Sequence, residues 1–153
     1  MSERSTEHAT FKIERSYGAS SERVYEAWAD AALKARWFGP GPEHTDSMEM
    51  DFRIGGHERF AAGMSDGVTY TYNALYQDIV ENERIVYTYE MHRNEDRISV
   101  SVSTVELAPT AAGTLLTYTE QGVFLDGHDT AAQREHGTRE LLERIDGALQ
   151  AGS

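Results

Sequence analysis

The residue best suited to acid–base chemistry is Glu120, which lies near the end of a predicted strand. If residues 113–122 alternate between two faces, Leu116, Tyr118 and Glu120 point the same way. A carboxylate in an apolar site is desolvated, which raises its pKa and can make it a general acid or base. Pairing with an arginine, or a place at the open end of the sheet, is the alternative, and we favour it over catalysis.

Tyrosines supply a second kind of chemistry, because their rings are apolar while their hydroxyls need a partner when buried. Alternation over residues 84–91 places Ile85, Tyr87, Tyr89 and Met91 on one face. A cavity lined with such side chains can hold an amphipathic molecule and fix its orientation. Alternatively, the rings are ordinary core and sheet residues, since tyrosine is favoured in strands for its own sake.

Other chemistries lack the residues or the spacing that they need. The chain has no cysteine, and its histidines show neither HxH nor HExxH spacing, so we predict no metal site and no thiolate catalysis. Ser20 and Ser21 lack the nucleophile-elbow motif, and the glycines form neither a P-loop nor a dinucleotide fingerprint. We therefore predict no cofactor.

The net charge of −12 limits the partners that the chain can have. Its basic residues are scattered among carboxylates, so nucleic-acid binding is not expected. The acidity is interpreted as a solubility feature, with an acidic docking surface as the alternative. No apolar run approaches the roughly 18 residues of a membrane span, and the first ten residues are polar, so we predict a cytoplasmic protein without membrane insertion.

A long C-terminal helix over residues 129–150 is the element that must cover these side chains. Its apolar stripe consists of Ala131, Thr138, Leu141, Leu142, Ile145 and Leu149. Its charged residues lie mainly on the other side and are Arg134, Glu135, Arg139, Glu140, Glu143 and Arg144. Gly137 costs about 1 kcal/mol relative to alanine in a helix. We attribute it to close packing on the sheet, with approach to a ligand as the alternative.

The remaining elements form a meander of strands. A strand over 11–17 precedes two short helices, capped by Ser20 and Asp30, and the second ends where Trp37-Phe38-Gly39-Pro40-Gly41-Pro42 begins to break the helix. Six strands follow, the first of them over Met48–Ile54. The order β-αα-ββββββ-α predicts an α+β fold with an antiparallel sheet. Residues 1–9 are predicted as a flexible tail and 10–150 as a single domain.

Five stretches of the chain are similar to a known family. They are V-Y-E-A-W (24–28), R-W-F-G-P (36–40), D-F-R-I-G-G (51–56), E-R-I-V-Y-T-Y (83–89) and G-T-L-L-T-Y-T-E-Q-G (113–122). In this order they resemble bacterial single-domain members of the heat-shock protein 90 ATPase activator homologue family. That family belongs to the START and birch-pollen-allergen-like (SRPBCC) helix-grip superfamily. The resemblance extends over about 90% of the chain.

The resemblance implies a curved sheet that grips the C-terminal helix, with a hydrophobic cavity between them. Members of the superfamily commonly bind apolar or amphipathic small molecules. The family typically has Gly-Trp in the last helix, whereas this chain has Gly137-Thr138. A small residue in place of tryptophan predicts a roomier cavity or a compensating aromatic side chain.

We predict a binding or carrier domain, in preference to an enzyme, for a small hydrophobic or amphipathic molecule that enters past Trp37 and Phe38. A cyclase or dehydratase with Glu120 as base, and a co-chaperone-like module with a chaperone contact, are the alternatives. Oligomeric state is not predicted. The candidate ligand-binding residues are Trp28, Trp37, Phe38, Phe52, Phe60, Tyr87, Tyr89, Met91, Tyr118, Glu120, Thr138, Leu141 and Leu142.

Overall fold

The computed structural model of the protein describes residues 4–38, 48–63 and 67–151. Its elements follow the predicted order, so the α+β helix-grip fold is confirmed. None of the helices in the described ranges is long and apolar enough to cross a membrane. The elements are β1 (Thr6–Tyr17), α1 (Ser21–Ala29), α2 (Ala31–Trp37), β2 (Glu49–Met50), β3 (His57–Gly63), β4 (Thr69–Val80), β5 (Arg84–Arg93), β6 (Asp96–Thr110), β7 (Gly113–Leu125) and α3 (Ala131–Ala151).

The strands form one curved, seven-stranded antiparallel sheet in the order β1-β7-β6-β5-β4-β3-β2. The first strand therefore pairs with the last, from Thr6 opposite Leu125 to Tyr17 opposite Thr114. This pairing corrects the prediction of a flexible tail at residues 6–9. Residues 6–9 belong to β1, because β7 is long enough to satisfy their backbone hydrogen bonds.

The predicted strand over Met48–Ile54 is wrong after its first residues, since β2 contains only Glu49–Met50. The chain then turns, and the Arg53 amide donates to the Asp51 carbonyl at 3.0 Å. At Gly56, a Cβ atom would lie 2.0 Å from that same carbonyl oxygen, so only glycine fits the turn. Ile54 is consequently 58% exposed and does not face the core. The predicted break over 39–42 lies outside the described residues.

Both short helices begin at the predicted caps. The Ser20 hydroxyl accepts from the Arg23 amide at 3.2 Å, and the Asp30 carboxylate accepts from the Leu33 amide at 3.0 Å. Each cap satisfies one of the free amides at a helix N-terminus. The two helices meet at Asp30, which ends α1 and starts α2.

Helix α3 is anchored by its C-terminal half. Leu142 and Ile145 are fully buried, and α3 packs against α2, β1 and α1. The Tyr17 hydroxyl donates to the Leu142 carbonyl at 2.7 Å, which ties β1 to the helix. Arg15 pairs with Asp146 at 2.6 Å on the same side. The N-terminal half of α3 is thereby held over the centre of the sheet.

A fully buried ion pair, which sequence reasoning missed, lies beneath α2. The Lys34 ammonium donates to Glu58 Oε1 at 2.6 Å, and the two side chains are 1% and 0% exposed. The Tyr76 hydroxyl donates to the same carboxylate oxygen. Four aromatic rings have their centroids between 4.6 and 5.9 Å from the ammonium and belong to Trp28, Phe38, Tyr76 and Tyr87.

Removal of one member of this pair is expected to destabilise the fold strongly. Glu58→Leu leaves a buried ammonium without its counter-ion, which should lower the free energy of unfolding by about 3–5 kcal/mol. The double variant Lys34→Met/Glu58→Leu should recover most of that loss, because neither charge is then buried. Urea unfolding of both proteins measures the difference.

The exposed Asp78–Arg84 pair offers a matched control. Its side chains are 39% and 49% exposed. Asp78→Asn should therefore change the free energy of unfolding by less than about 1 kcal/mol. A double variant no more stable than Glu58→Leu alone would contradict the role given to the buried charge.

Candidate functional site

A cavity of about 360 Å³ lies between α3, the α1–α2 pair and the inner face of the sheet. Its volume is within the roughly 300–1,000 Å³ of small-molecule sites. Eight aromatic side chains line it, namely Trp28, Trp37, Phe38, Phe60, Tyr72, Tyr87, Tyr89 and Tyr118. The other lining residues are Met91, Asp129, Gln133, Arg134, Gly137, Thr138, Glu140, Leu141, Leu142 and Arg144.

Strand alternation places the tyrosines in the cavity wall. On β5, Tyr87 and Tyr89 are buried. Their chain neighbours Val86 and Thr88 are only partly buried. The partners of the two tyrosines across the β5–β6 ladder are Ser103 and Ser101. Neither serine lines the cavity, so on this part of the sheet the longer tyrosine side chains form the wall.

Small residues on α3 keep the helix from filling this space. Thr138 is 8% exposed and its hydroxyl donates to the Arg134 carbonyl at 2.8 Å, so it adds no unpaired donor to the wall. A Cβ atom at Gly137 would have nothing within 4 Å outside the helix's own backbone. Our prediction that Gly137 serves close packing on the sheet is therefore wrong, and this glycine borders the cavity instead.

The exposed part of the cavity lining is on α3. Gln133, Glu140 and Arg144 line the cavity and are exposed to solvent. Trp37 and Phe38, which we expected to flank the entrance, are only 2% and 9% exposed and form its buried wall. The described residues therefore place a route to solvent beside α3 and give the two aromatics a wall position.

Glu120 is buried, as the alternation of inward and outward residues predicted, but its carboxylate is already paired with other side chains. It is 1% exposed and accepts from the Tyr118 hydroxyl at 2.6 Å and from the Tyr89 hydroxyl at 2.7 Å. The Arg134 guanidinium lies 3.5 Å from its Oε2. The carboxylate does not line the cavity, and the arginine pair that we favoured is present. Glu120 therefore links the hydroxyls of Tyr89 and Tyr118 to Arg134 within the wall.

Arg134 is the central polar residue of the cavity. It donates to the Tyr89 hydroxyl, to Ser99 Oγ and to the Asp129 carboxylate, each at 2.9 Å. Burial alone would lower the pKa of Arg134, but Tyr89, Glu120 and Asp129 together raise it above its ordinary value. The guanidinium is therefore a permanent charge, and the two carboxylates beside it offset that charge.

The tyrosine hydroxyls of the wall are permanent donors. Burial raises the pKa values of Tyr72, Tyr89 and Tyr118 well above the ordinary value, and the Glu120 carboxylate raises those of Tyr89 and Tyr118 further. Removal of a proton from any of them would leave a buried, desolvated anion. The wall therefore presents neutral phenols at all physiological pH values.

The structure brings most of the predicted site residues into the cavity lining and leaves two of them outside it. Phe52 and Glu120 do not line the cavity. Phe52 packs against Tyr25 and Tyr76, with ring centroids 5.8 and 4.9 Å away, because β2 ends before it. The predicted residues that do line the cavity are Trp28, Trp37, Phe38, Phe60, Tyr87, Tyr89, Met91, Tyr118, Thr138, Leu141 and Leu142.

Sequence reasoning missed two important members of the wall. Arg134 had been assigned to the charged side of the helix, although it precedes Thr138 by four residues and so shares its face. Tyr72 has the same parity along β4 as Tyr76, and both are buried. The four-residue spacing of Arg134 to Thr138 along α3, and of Tyr72 to Tyr76 along β4, is the sequence signal that indicates their buried positions.

Comparisons with known proteins agree with this architecture. The model of the family described as "Activator of Hsp90 ATPase homolog 1-like protein" matches residues 18–150. An uncharacterized protein from Rhizobium leguminosarum has a solved structure that is 42% identical, covers 97% of this chain and 98% of its own, and superimposes with a TM-score of 0.91. No curated protein matches the chain.

Two further solved structures extend the comparison. The Mll3558 protein from Rhizobium loti is 44% identical over 94% of this chain and 99% of its own, with a TM-score of 0.88. DynU16, a protein of the dynemicin biosynthetic locus, is 18% identical over 94% of this chain and 48% of its own, with a TM-score of 0.70. At that identity DynU16 is similar in fold alone.

Gly137 and Gly147 provide a direct test of where α3 is unpacked. Both are helical glycines with nothing within 4 Å of a built Cβ, and only Gly137 lines the cavity. Gly137→Ala and Gly147→Ala should each raise the free energy of unfolding by about 0.5–1 kcal/mol, because alanine has the higher helix propensity. Denaturant unfolding measures both. Destabilisation by Gly137→Ala alone would restore the packing role that the structure removes.

Proposed function

Because the chain belongs to the family of Activator of Hsp90 ATPase homolog 1-like proteins, we propose that it is a binding domain that holds a small hydrophobic or amphipathic molecule beneath α3. The observation that supports this most directly is the aromatic cavity of about 360 Å³. A concave, mostly apolar site with a few fixed polar groups is the usual form of a small-molecule site.

The polar groups of the cavity are suited to orienting a ligand. The guanidinium of Arg134 is close to the rings of Tyr89 and Phe124, whose centroids are 5.6 and 5.1 Å from its central carbon. Its hydrogen bonds to Tyr89, Ser99 and Asp129 hold it in place without any bound molecule. A group held in this way contacts a ligand at little entropic cost.

The enzymatic alternative requires Glu120 as a general base within reach of the substrate, and the position of Glu120 does not favour it. A general base must come within about 2.6–3.2 Å of the proton that it removes. Glu120 lies behind the hydroxyls of Tyr89 and Tyr118 and beside Arg134, so a molecule in the cavity meets those groups first. The co-chaperone alternative has the acidic charge of −12 as its support.

Enlargement of Thr138 tests whether the cavity is the binding site. Thr138→Trp should fill the space beneath α3 and weaken binding of an apolar probe such as a medium-chain fatty acid or naphthalene at least tenfold, a loss of about 1.4 kcal/mol. Isothermal titration calorimetry and ligand-induced thermal shift measure the affinity. Thr138→Ser, which keeps the hydroxyl and enlarges the space, serves as the control and should retain binding.

A second variant protects this experiment from a failure to fold. Leu141 lines the cavity and is partly exposed, so Leu141→Phe adds volume with less strain on the core. Binding by Thr138→Trp and Leu141→Phe with wild-type affinity would place the ligand elsewhere. Absence of binding by the wild-type protein across apolar acids, aromatics and sterol-sized probes would contradict the proposed function itself.

A further inference from the structure

Three charged side chains form a cluster beside the cavity, and their charges do not cancel. Arg134 and Asp129 line the cavity and pair with each other, and their side chains are 12% and 19% exposed. Glu120 lies one hydroxyl behind the lining, because it accepts from Tyr89 at 2.7 Å and from Tyr118 at 2.6 Å. One guanidinium and two carboxylates leave one negative charge in excess.

Both carboxylates of the cluster are surrounded by donors. The two oxygens of Glu120 accept from the two tyrosine hydroxyls, and Oε2 also lies 3.5 Å from the Arg134 guanidinium. Oδ1 of Asp129 accepts from the Thr130 amide at 2.7 Å, and Oδ2 accepts from Arg134 at 2.9 Å. A donor at each of the four oxygens is the arrangement that an ionised carboxylate requires.

Two further sets of charges at the cavity cancel. Lys34 pairs with Glu58 at 2.6 Å beneath α2. Glu140 and Arg144, which line the cavity and are exposed, have opposite charges. The internal stretches outside the described ranges, 39–47 and 64–66, contain no lysine or arginine that could add a positive charge. The excess carboxylate of the cluster is therefore not offset by the described residues that line the cavity.

Arg134 is consequently a poor site for an acid. Its guanidinium already donates to Asp129, to Ser99 and to the Tyr89 hydroxyl, each at 2.9 Å. The carboxylate of a bound acid would be a third anion beside this one cation. In a mostly apolar cavity the repulsion between such charges is screened far less than in water.

The aromatic wall favours the opposite charge. The face of an aromatic ring is negative, so a cation near it is attracted. The Lys34 ammonium lies 5.4 Å from the ring centroid of Trp28 and 4.6 Å from that of Phe38. The central carbon of Arg134 lies 5.6 Å from that of Tyr89. All three rings belong to residues that line the cavity, so the same kind of wall can attract a protonated amine.

We propose that the cavity prefers a hydrophobic amine, in its protonated form, over a carboxylic acid of the same size. The excess negative charge of the cluster acts through the wall on the charge of the bound molecule, so the preference requires no contact with Glu120. Asp129 and Glu120 are the specificity-determining residues. This inference rests on the proposed function, since it assigns the chemical class of the molecule held in the same cavity.

Three probes with one naphthalene skeleton test the preference. They are 2-naphthylmethylamine, 2-naphthoate and 2-naphthylmethanol, which at neutral pH are cationic, anionic and uncharged. The alcohol reports whether the cavity binds the skeleton at all. Calorimetric titration of the wild type should give an affinity for the amine at least about tenfold higher than for the acid. The ratio should persist at a salt concentration of about 0.15 M, where charges on the surface are largely screened.

Isosteric variants identify the charges that set this ratio. Asp129→Asn and Glu120→Gln each remove one negative charge and should lower the amine-to-acid ratio by about fivefold to tenfold. Asp129 is partly exposed, so Asp129→Asn tests the inference even where Glu120→Gln does not fold. Asp126→Asn is the matched control, because Asp126 pairs with Arg4 and does not line the cavity. It removes the same charge from the surface and should leave the ratio unchanged.

The alcohol separates the two ways in which the experiment can fail. If the alcohol binds while the wild type shows equal affinities for amine and acid, or binds neither, this inference is overturned and the proposed function stands. A ratio that Asp126→Asn lowers as much as Asp129→Asn also overturns it, because the preference would then come from the net charge of the surface. Failure of all three probes to bind contradicts the proposed function and this inference with it.

Discussion

The dominant constraint on this structure is that α3 docks by one half only. Leu142 and Ile145 are fully buried near β1 and the short helices, and Tyr17 fixes the helix backbone there. The preceding turn presents Gly137 and Thr138, two small residues that line the cavity. Because α3 is fixed at its C-terminal half and carries small residues in the half before it, a cavity remains between the helix and the concave sheet.

The hollow is stable because the polar groups around it are paired with one another. Arg134 joins Asp129, Ser99 and Tyr89, and through Tyr89 it reaches Glu120. This network connects the first turn of α3 with β5, β6 and β7, which are the strands that α3 does not pack against closely. Polar contacts thus hold the free half of the helix at a fixed height over the sheet, where apolar packing is missing.

Alternation and capping residues predicted much of this arrangement from the sequence. They gave the inner faces of β5 and β7, the caps Ser20 and Asp30, and most of the aromatic wall. The same alternation failed at Phe52, because the turn that begins at Asp51 is set by hydrogen bonds between backbone groups and not by hydrophobic spacing.

The spacing of Arg134 to Thr138 indicates its inward face, but the partners of the buried charges could not be identified from the sequence. Lys34 is stabilised by Glu58, and Arg134 by Glu120 and Asp129, across different elements of the fold. Charged residues are rarely buried unless they are paired, so each one alone indicates an exposed position. A charged residue is buried here because an oppositely charged residue on another element pairs with it, and that residue can be identified only when the sheet order and the helix positions are known.

The position of the two indoles gives the protein a built-in optical probe. Trp28 and Trp37 are the only tryptophans in the sequence, and they touch one another in the cavity wall. Ultraviolet emission excited selectively from indole therefore originates entirely at this wall, and the neighbouring tyrosines can pass their excitation to it. Entry of a molecule, loss of the hollow or loosening of α3 each changes the surroundings of the same pair of fluorophores, so the state of the site can be followed without a label.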